Sequence, residues 1–138
     1  MDYKNIISFK IRRLPVKDAL KIVNLTPHPL NIQDMDKTIC VFPKSEKPAR
    51  VTQKDVIIGY VAYKSGHVFP IHRTSMIPEI ENLPDYDPDG TVLYVVSRIV
   101  AETAELIGRP TDDLLITGPS IRDENGKQMG ADGFSMLP

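Results

Sequence analysis

The sequence has little of several things, and each shortage excludes a class of protein. Its 138 residues hold one cysteine, Cys40, so there is no internal disulfide and no cysteine-built zinc site. That agrees with a reducing cytoplasm as the expected compartment. Neither sign of charge dominates: 17 basic residues face 18 acidic ones, for a formal charge of −1. A chain so balanced is not built to hold DNA or RNA through many phosphate contacts. Long apolar runs are missing too. The longest, such as Val92 to Val96, span about five residues against the roughly twenty of a membrane helix. Asp2, Lys4, Lys10, Arg12 and Arg13 interrupt the first fourteen residues, which predicts no signal peptide and a soluble protein.

Proline is the one residue in excess. Twelve in 138 is roughly 9%, against a background of about 5%. Such a sequence suits short strands and turns and excludes a helical bundle. Ile7, Phe9 and Ile11 alternate with polar residues as a half-buried strand does, and Val16 to Lys21 can form one helical turn. Short strands are expected at Lys21–Leu25, Leu30–Ile32 and Thr38–Phe42, the last two joined by a turn at Asp34–Lys37. Thr26-Pro27-His28-Pro29 between the first two is a fixed corner, because two prolines forbid regular ladder bonding. Arg50 and Val51 open another strand. Val56 to Tyr63, β-branched or aromatic at most positions, reads as a central strand, with a hairpin turn at Ser65-Gly66 leading to His67–His72.

Pro78 to Gly90 reads as a long surface loop, and Thr91–Val96 as a strand. Ser97 is a good N-cap for a helix over about 97–108, with Ile99, Val100, Thr103, Ala104 and Ile107 on one face and Gly108 and Pro110 as the stop. Leu114–Ile116 is a further strand, and Asn125-Gly126 carries the type I′ hairpin dipeptide. The expected fold is α+β: a mainly antiparallel sheet with one packed helix, a single domain over 21–138, and an extension over 1–20.

Chemical motifs are weak. Asp85 to Gly90 copies the first half of a calcium loop, D-x-D-x-D-G, but Val96 stands where the bidentate glutamate belongs. A solvated acidic loop is the simpler reading. His67 and His72, five apart on a strand, face opposite ways, so no metal is expected. Cys40 lies inside a predicted strand, where a buried, inert thiol is the commoner case. No G-x-S-x-G elbow, Walker A loop or G-x-G-x-x-G turn is present. Arginine is more suggestive, because its planar fork suits phosphate and stacks on bases. Arg50 and Arg122 each flank a loop–strand junction. Arg122-Asp123-Glu124-Asn125-Gly126 sets a cation, carboxylates and an amide on one hairpin, although local charge pairing explains it as well.

Three segments together carry a family likeness: Ile22 to Pro29 (IVNLTPHP), Leu93 to Ala101 (LYVVSRIVA) and Ile121 to Lys127 (IRDENGK). Over about residues 21 to 137 the chain resembles the first type of phage Thoeris anti-defence protein, which sequesters the cyclic ADP-ribose isomers made by TIR enzymes. The resemblance implies a viral protein of the bacterial host cytoplasm, a β-rich homodimer or higher homo-oligomer that holds the nucleotide at a subunit interface. It implies binding without turnover and needs no cofactor; cyclic oligonucleotides at a second site stay open. It carries Arg50 and Arg122 over as ligand contacts and Tyr94 as an aromatic contact; Asp123 and Asn125 are candidates through the hairpin they share with Arg122, and Arg98 and Arg109 are secondary candidates onto which the resemblance transfers nothing. Two other readings stay open beside it. One is a hydrolase of a nucleotide or phosphate metabolite using Asp112, Asp113 or His72. The other is a structural phage protein that binds no small molecule.

Overall fold

A computed structural model describes residues 16–138, so the strand expected around Ile7–Ile11 lies outside the described residues. The fold is α+β, mainly antiparallel, with one helix among the described residues. Its strands are β1 (Lys21–Asn24), β2 (Leu30–Gln33), β3 (Ile39–Phe42), β4 (Arg50–Tyr63), β5 (His67–Glu81), β6 (Val92–Val95), β7 (Leu114–Thr117), β8 (Ser120–Arg122), β9 (Gln128–Asp132) and β10 (Phe134–Ser135). The helix α1 is Arg98–Leu106. No helix among the described residues is long and apolar enough to cross a membrane.

The centre is a four-stranded sheet in the order β1-β6-β7-β10, its first three strands parallel. Side chains alternate across a strand, and here both faces are covered. Leu93, Val95 and Leu115 point to one side, where Leu30 of the second sheet packs. Val96, Leu114 and Ile116 point to the other, against Val100, Ala101 and Ala104 of α1. A strand covered twice carries no polar face, which is why 92–96 is wholly apolar. The second sheet runs β3-β2-β9-β8. Phe42 and Phe134 join the two sheets edge to face, with ring centroids 6.0 Å apart. Gly130 lets β9 cross close to β2: a Cβ there would collide with the carbonyl oxygen of Asn31.

The corner after β1 is built by Asn24, which is buried. Its Nδ2 donates to the carbonyls of His28 (2.8 Å) and Pro43 (3.0 Å), and its Oδ1 accepts from the Thr26 amide and hydroxyl. One side chain thus supplies the partners that the two prolines remove from the backbone.

The helix has the caps expected of it. The Ser97 hydroxyl accepts from the Val100 amide, and Gly108 ends the helix at φ +84°. The Gly108 amide donates to Glu105 and the Arg109 amide to Ala104, a Schellman closure. Its buried face is Val100, Ala101, Thr103 and Ala104; Ile99 and Ile107, expected on that face, are exposed.

Several other expectations need correction. Val56–Tyr63 is no central strand. Among the described residues β4 and β5 pair only with each other, and the outer part of this ribbon is exposed on both faces. Its base alone reaches the body, through Val51 and Ile80 beside α1. β5 continues to Glu81, so the loop expected over 78–90 begins only at Asn82. Pro78 falls in the irregular stretch where register slips between Val51 and Gln53, a position that needs no ladder donor. Residues 16–20 form no helical turn, although Lys17 donates to the Asp112 carbonyl. Cys40 is in a strand but exposed, because β3 is the outermost strand of its sheet.

The Asn125-Gly126 turn is not type I′, since only Gly126 of the pair has positive φ. The Gly126 amide donates to the Asp123 carbonyl and the Asp123 amide to Lys127, the longer loop with its glycine in the left-handed region. The turn at Asp34–Thr38 is built identically, with Lys37 at φ 68° in the glycine's place. In both, the first aspartate's Oδ1 accepts from the amides two and four residues on.

Candidate functional site

A cleft of about 540 Å³ opens where the carboxyl ends of β1 and β6 meet the first turn of α1. Its walls include Pro27 of the corner, Arg50 and Gln53 of β4, Glu81 of β5, and Ser97 and Ile99 of the helix start. Each comes from a locally determined element: the Asn24-braced corner, the base of the ribbon, and the capped helix. In sheets with parallel strands, ligands settle at the carboxyl ends of the strands, often on the amides of a following helix. The first-turn amides of Arg98 and Ile99 have no partner within the helix, while that of Val100 is taken by Ser97.

Arg50 is the cation of this cleft. It is exposed, and no carboxylate among the described residues lies within ion-pair distance of its guanidinium, although Glu81 is its cross-strand neighbour. Glu81 places one negative charge in the same wall.

Arg122 stands elsewhere. It is on the β8–β9 hairpin, and its guanidinium donates to the Gly126 carbonyl at 2.8 Å. A second hollow, about 400 Å³, lies beside that hairpin, with His28, Asn31, Thr117, Ser120 and Gln128 in its walls. Pro27 lines the first hollow and His28 the second, and within one chain the two share no lining residue. Asp123 and Asn125 belong to turn closure: the Asp123 carboxylate accepts from the Asn125 and Lys127 amides.

The remaining candidates are placed by packing. Tyr94 is partly buried against the helix-side core and lines neither hollow. Arg98 pairs with Glu102 on the exposed face of α1 at 2.9 Å. Arg109 holds Asp113 with two bonds of 2.8 and 2.9 Å and also donates to the carbonyls of Pro84 and Pro110. Asp113 is 1% exposed, so this is a buried ion pair that fastens the 82–91 loop to the edge of β7. All the polar atoms at its centre are already engaged.

The acid–base candidates are dispersed in the same way. Asp112 accepts from the Tyr86 hydroxyl at 2.9 Å, and that bond to a carboxylate holds the phenol above its usual range. His72 is on the exposed ribbon, its Nδ1 2.9 Å from Asp55. Asp87, in the calcium-like segment, turns its oxygens onto backbone. It accepts from the Val92 amide, from Thr91 and from the Asp89 amide, bonds that hold its carboxyl below the ordinary range despite some desolvation. No group of three histidine, cysteine or acidic side chains among the described residues is placed to hold a metal.

Sequence reasoning found Arg50 and Ser97 separately and missed that they share a cleft with Gln53, Glu81 and Ile99. The one available signal was the exposed N-cap directly after an apolar strand, which is where a parallel sheet places its ligand crevice. Comparison with models of known families, with curated proteins and with solved structures finds no match.

Proposed function

We propose that the protein binds a cyclic ADP-ribose-type signal nucleotide and holds it without degrading it, so suppressing TIR-based immunity in the bacterial cytoplasm. The observation that carries this reading is the Arg50 cleft. It has the capacity of a small-molecule pocket (roughly 300–1,000 Å³), an arginine with no ion-pair partner among the described residues, and the open amides of a helix start. Guanidinium and amides together suit a pyrophosphate, and Pro27 and Ile99 offer apolar contact for a base or ribose. The family likeness of the segments at 22–29, 93–101 and 121–127 supports the same ligand, and two of the three bound this cleft.

Arg50 lines one cleft, and Arg122 stands on the β8–β9 hairpin beside the other hollow without forming part of its wall. The family likeness implies a site at a subunit interface, with the ligand enclosed between two copies of the protein. Sequestration asks for slow release, and enclosing a ligand between subunits slows its exit.

The test is to incubate the protein with the products of a TIR cyclase, filter, denature by heat and analyse the released material by mass spectrometry. An intact cyclic ADP-ribose isomer is the expected result. Arg50→Ala should weaken retention about 10- to 100-fold, the worth of a charged hydrogen bond, with the thermal midpoint unchanged. A chemically altered nucleotide would make the protein a hydrolase. The absence of any nucleotide, together with a co-purifying protein, would make it a structural component.

A further inference from the structure

The outer β4–β5 ribbon is the least expected feature of the molecule. Of the twenty large apolar residues that the described chain exposes, ten lie between Val56 and Met76. Tyr60 is 67% exposed and Val68 62%. Cross-strand partners share a face, so the register assigns Val61, Phe69, Tyr63 and His67 to one side and Tyr60, Pro70, Ala62 and Val68 to the other. Both sides are apolar. A two-stranded ribbon is marginal in water without a third strand or a packed face, and exposed apolar area of this extent marks an interaction surface.

We infer that this ribbon is the surface on which a second copy of the chain docks, arm against arm about a two-fold axis. Three observations select that occupant. The first is area. The ten side chains expose on the order of 900 Å² over the two faces together, so a partner arm that wraps both faces buries close to the ~800 Å² per partner of a standard-size interface. The second is charge. Between Val56 and His72 the only formally charged residue is Lys64, so two such arms meet without like-charge repulsion along the apolar stretch. The third is the place of that lysine. It sits in the turn at the tip, with φ 51°, where a membrane-inserting arm would have to bury its ammonium first. A bilayer is disfavoured by that position, and a like arm is not. The Val61–Phe69 pair, an aromatic opposite a β-branched residue, is the centre of the contact.

The inference deepens the assembly half of the proposed function and leaves its ligand half untouched. The base of the same ribbon supplies Arg50 and Gln53 to the cleft, so docked arms would hold two clefts in fixed relation.

Mass of the nucleotide-free protein, measured by sedimentation and light scattering over a dilution series, tests the inference without reference to any ligand. The wild type should have at least twice the chain mass. The double variant Val61→Lys, Phe69→Lys should fall to the single chain or to a smaller assembly. Slow amide exchange at Val95, Val96 and Ala104 would show its body still folded. A second measurement on the wild type covers the case in which the variant misfolds. Amides 57–61 and 68–72 should exchange slowly when assembled and quickly on dilution. A wild type at single-chain mass, a folded variant of wild-type mass, or fast exchange of those amides at every concentration would overturn the inference. So would a monomer that partitions onto anionic phospholipid vesicles through the same residues. Nucleotide retention by a monomeric variant would separate the two proposals: the arm would stand, and the shared-interface site would fall.

Discussion

Two strands of nearly the same composition meet opposite fates in this protein. Val92-Leu93-Tyr94-Val95 lies at the middle of the central sheet, where Val95 is wholly buried and Leu93 nearly so. Val56-Ile57-Ile58-Gly59-Tyr60-Val61 belongs to the ribbon, where Ile58 is half exposed. β-Branched and aromatic residues favour a pleated, extended backbone in both. Cover is what separates them. β6 has β1 and β7 on its edges, the helix on one face and the second sheet on the other, whereas β4 has β5 alone. The body is therefore held together by its own core, whereas nothing among the described residues covers the outer arm. Proteins concentrate their tolerance to change in regions of few buried contacts, so substitutions should be felt very differently in the two parts.

The contrast is tested hardest at Arg109 and Asp113. Asp113→Ala leaves a buried guanidinium without its carboxylate, and breaking a buried pair from one side costs about 3–5 kcal/mol. Urea unfolding of the body should show that loss, and a shift below about 1 kcal/mol would contradict the structural role given to the pair. Next comes Asn24→Ala, which strips partners from the Thr26–Pro29 corner and should cost about 2–3 kcal/mol by the same measurement.

Helix capping gives a smaller effect. Ser97→Ala should destabilise by about 1 kcal/mol and also loosen the wall of the Arg50 cleft, so its thermal midpoint and nucleotide retention should fall together. The paired turns offer a finer comparison. Gly126→Ala forces a Cβ into the left-handed region and should cost about 1 kcal/mol, whereas Lys37→Gly removes the same penalty at the sister turn and should be neutral or mildly stabilising.

The smallest effects concern pH, in the loop that joins arm to body. The Asp87 carboxyl is held below its ordinary value of 3.8, so its contribution is present above that pH and is lost as pH falls through the folded value. The Tyr86 phenol is held above 10.0, so its contribution is complete below that pH and is lost as pH rises through the folded value. The Val92 amide signal should therefore move at the acid end in the wild type and stay still in Asp87→Asn. Tyr86→Phe should abolish only the alkaline change.

Local chemistry was legible wherever it is settled by neighbours in the chain. Ser97, Gly108 and Pro110 bounded the helix to within about two residues, as capping rules allow. Thr26-Pro27-His28-Pro29 announced a corner because proline cannot serve a ladder. The type I′ reading of Asn125-Gly126 failed because Asp123 captures the Asn125 and Lys127 amides and draws the loop out to a longer form. Arg109 appeared to be a spare arginine because its partner's burial cannot be seen in one dimension. The site was half legible: Arg50 and Ser97 stood out singly, 47 positions apart in the numbering, and the parallel pairing of β1 with β6, with the Ala49 amide bonded to the Leu25 carbonyl, brings them to one cleft.

By itself, then, the sequence determined the α+β class, most strands, the helix and its caps, and the excess of turns, because backbone preference and side-chain period act over a few residues. Tertiary structure alone decided which apolar strand is buried. Burial depends on what else folds onto a strand, and for Val56–Tyr63 nothing among the described residues does.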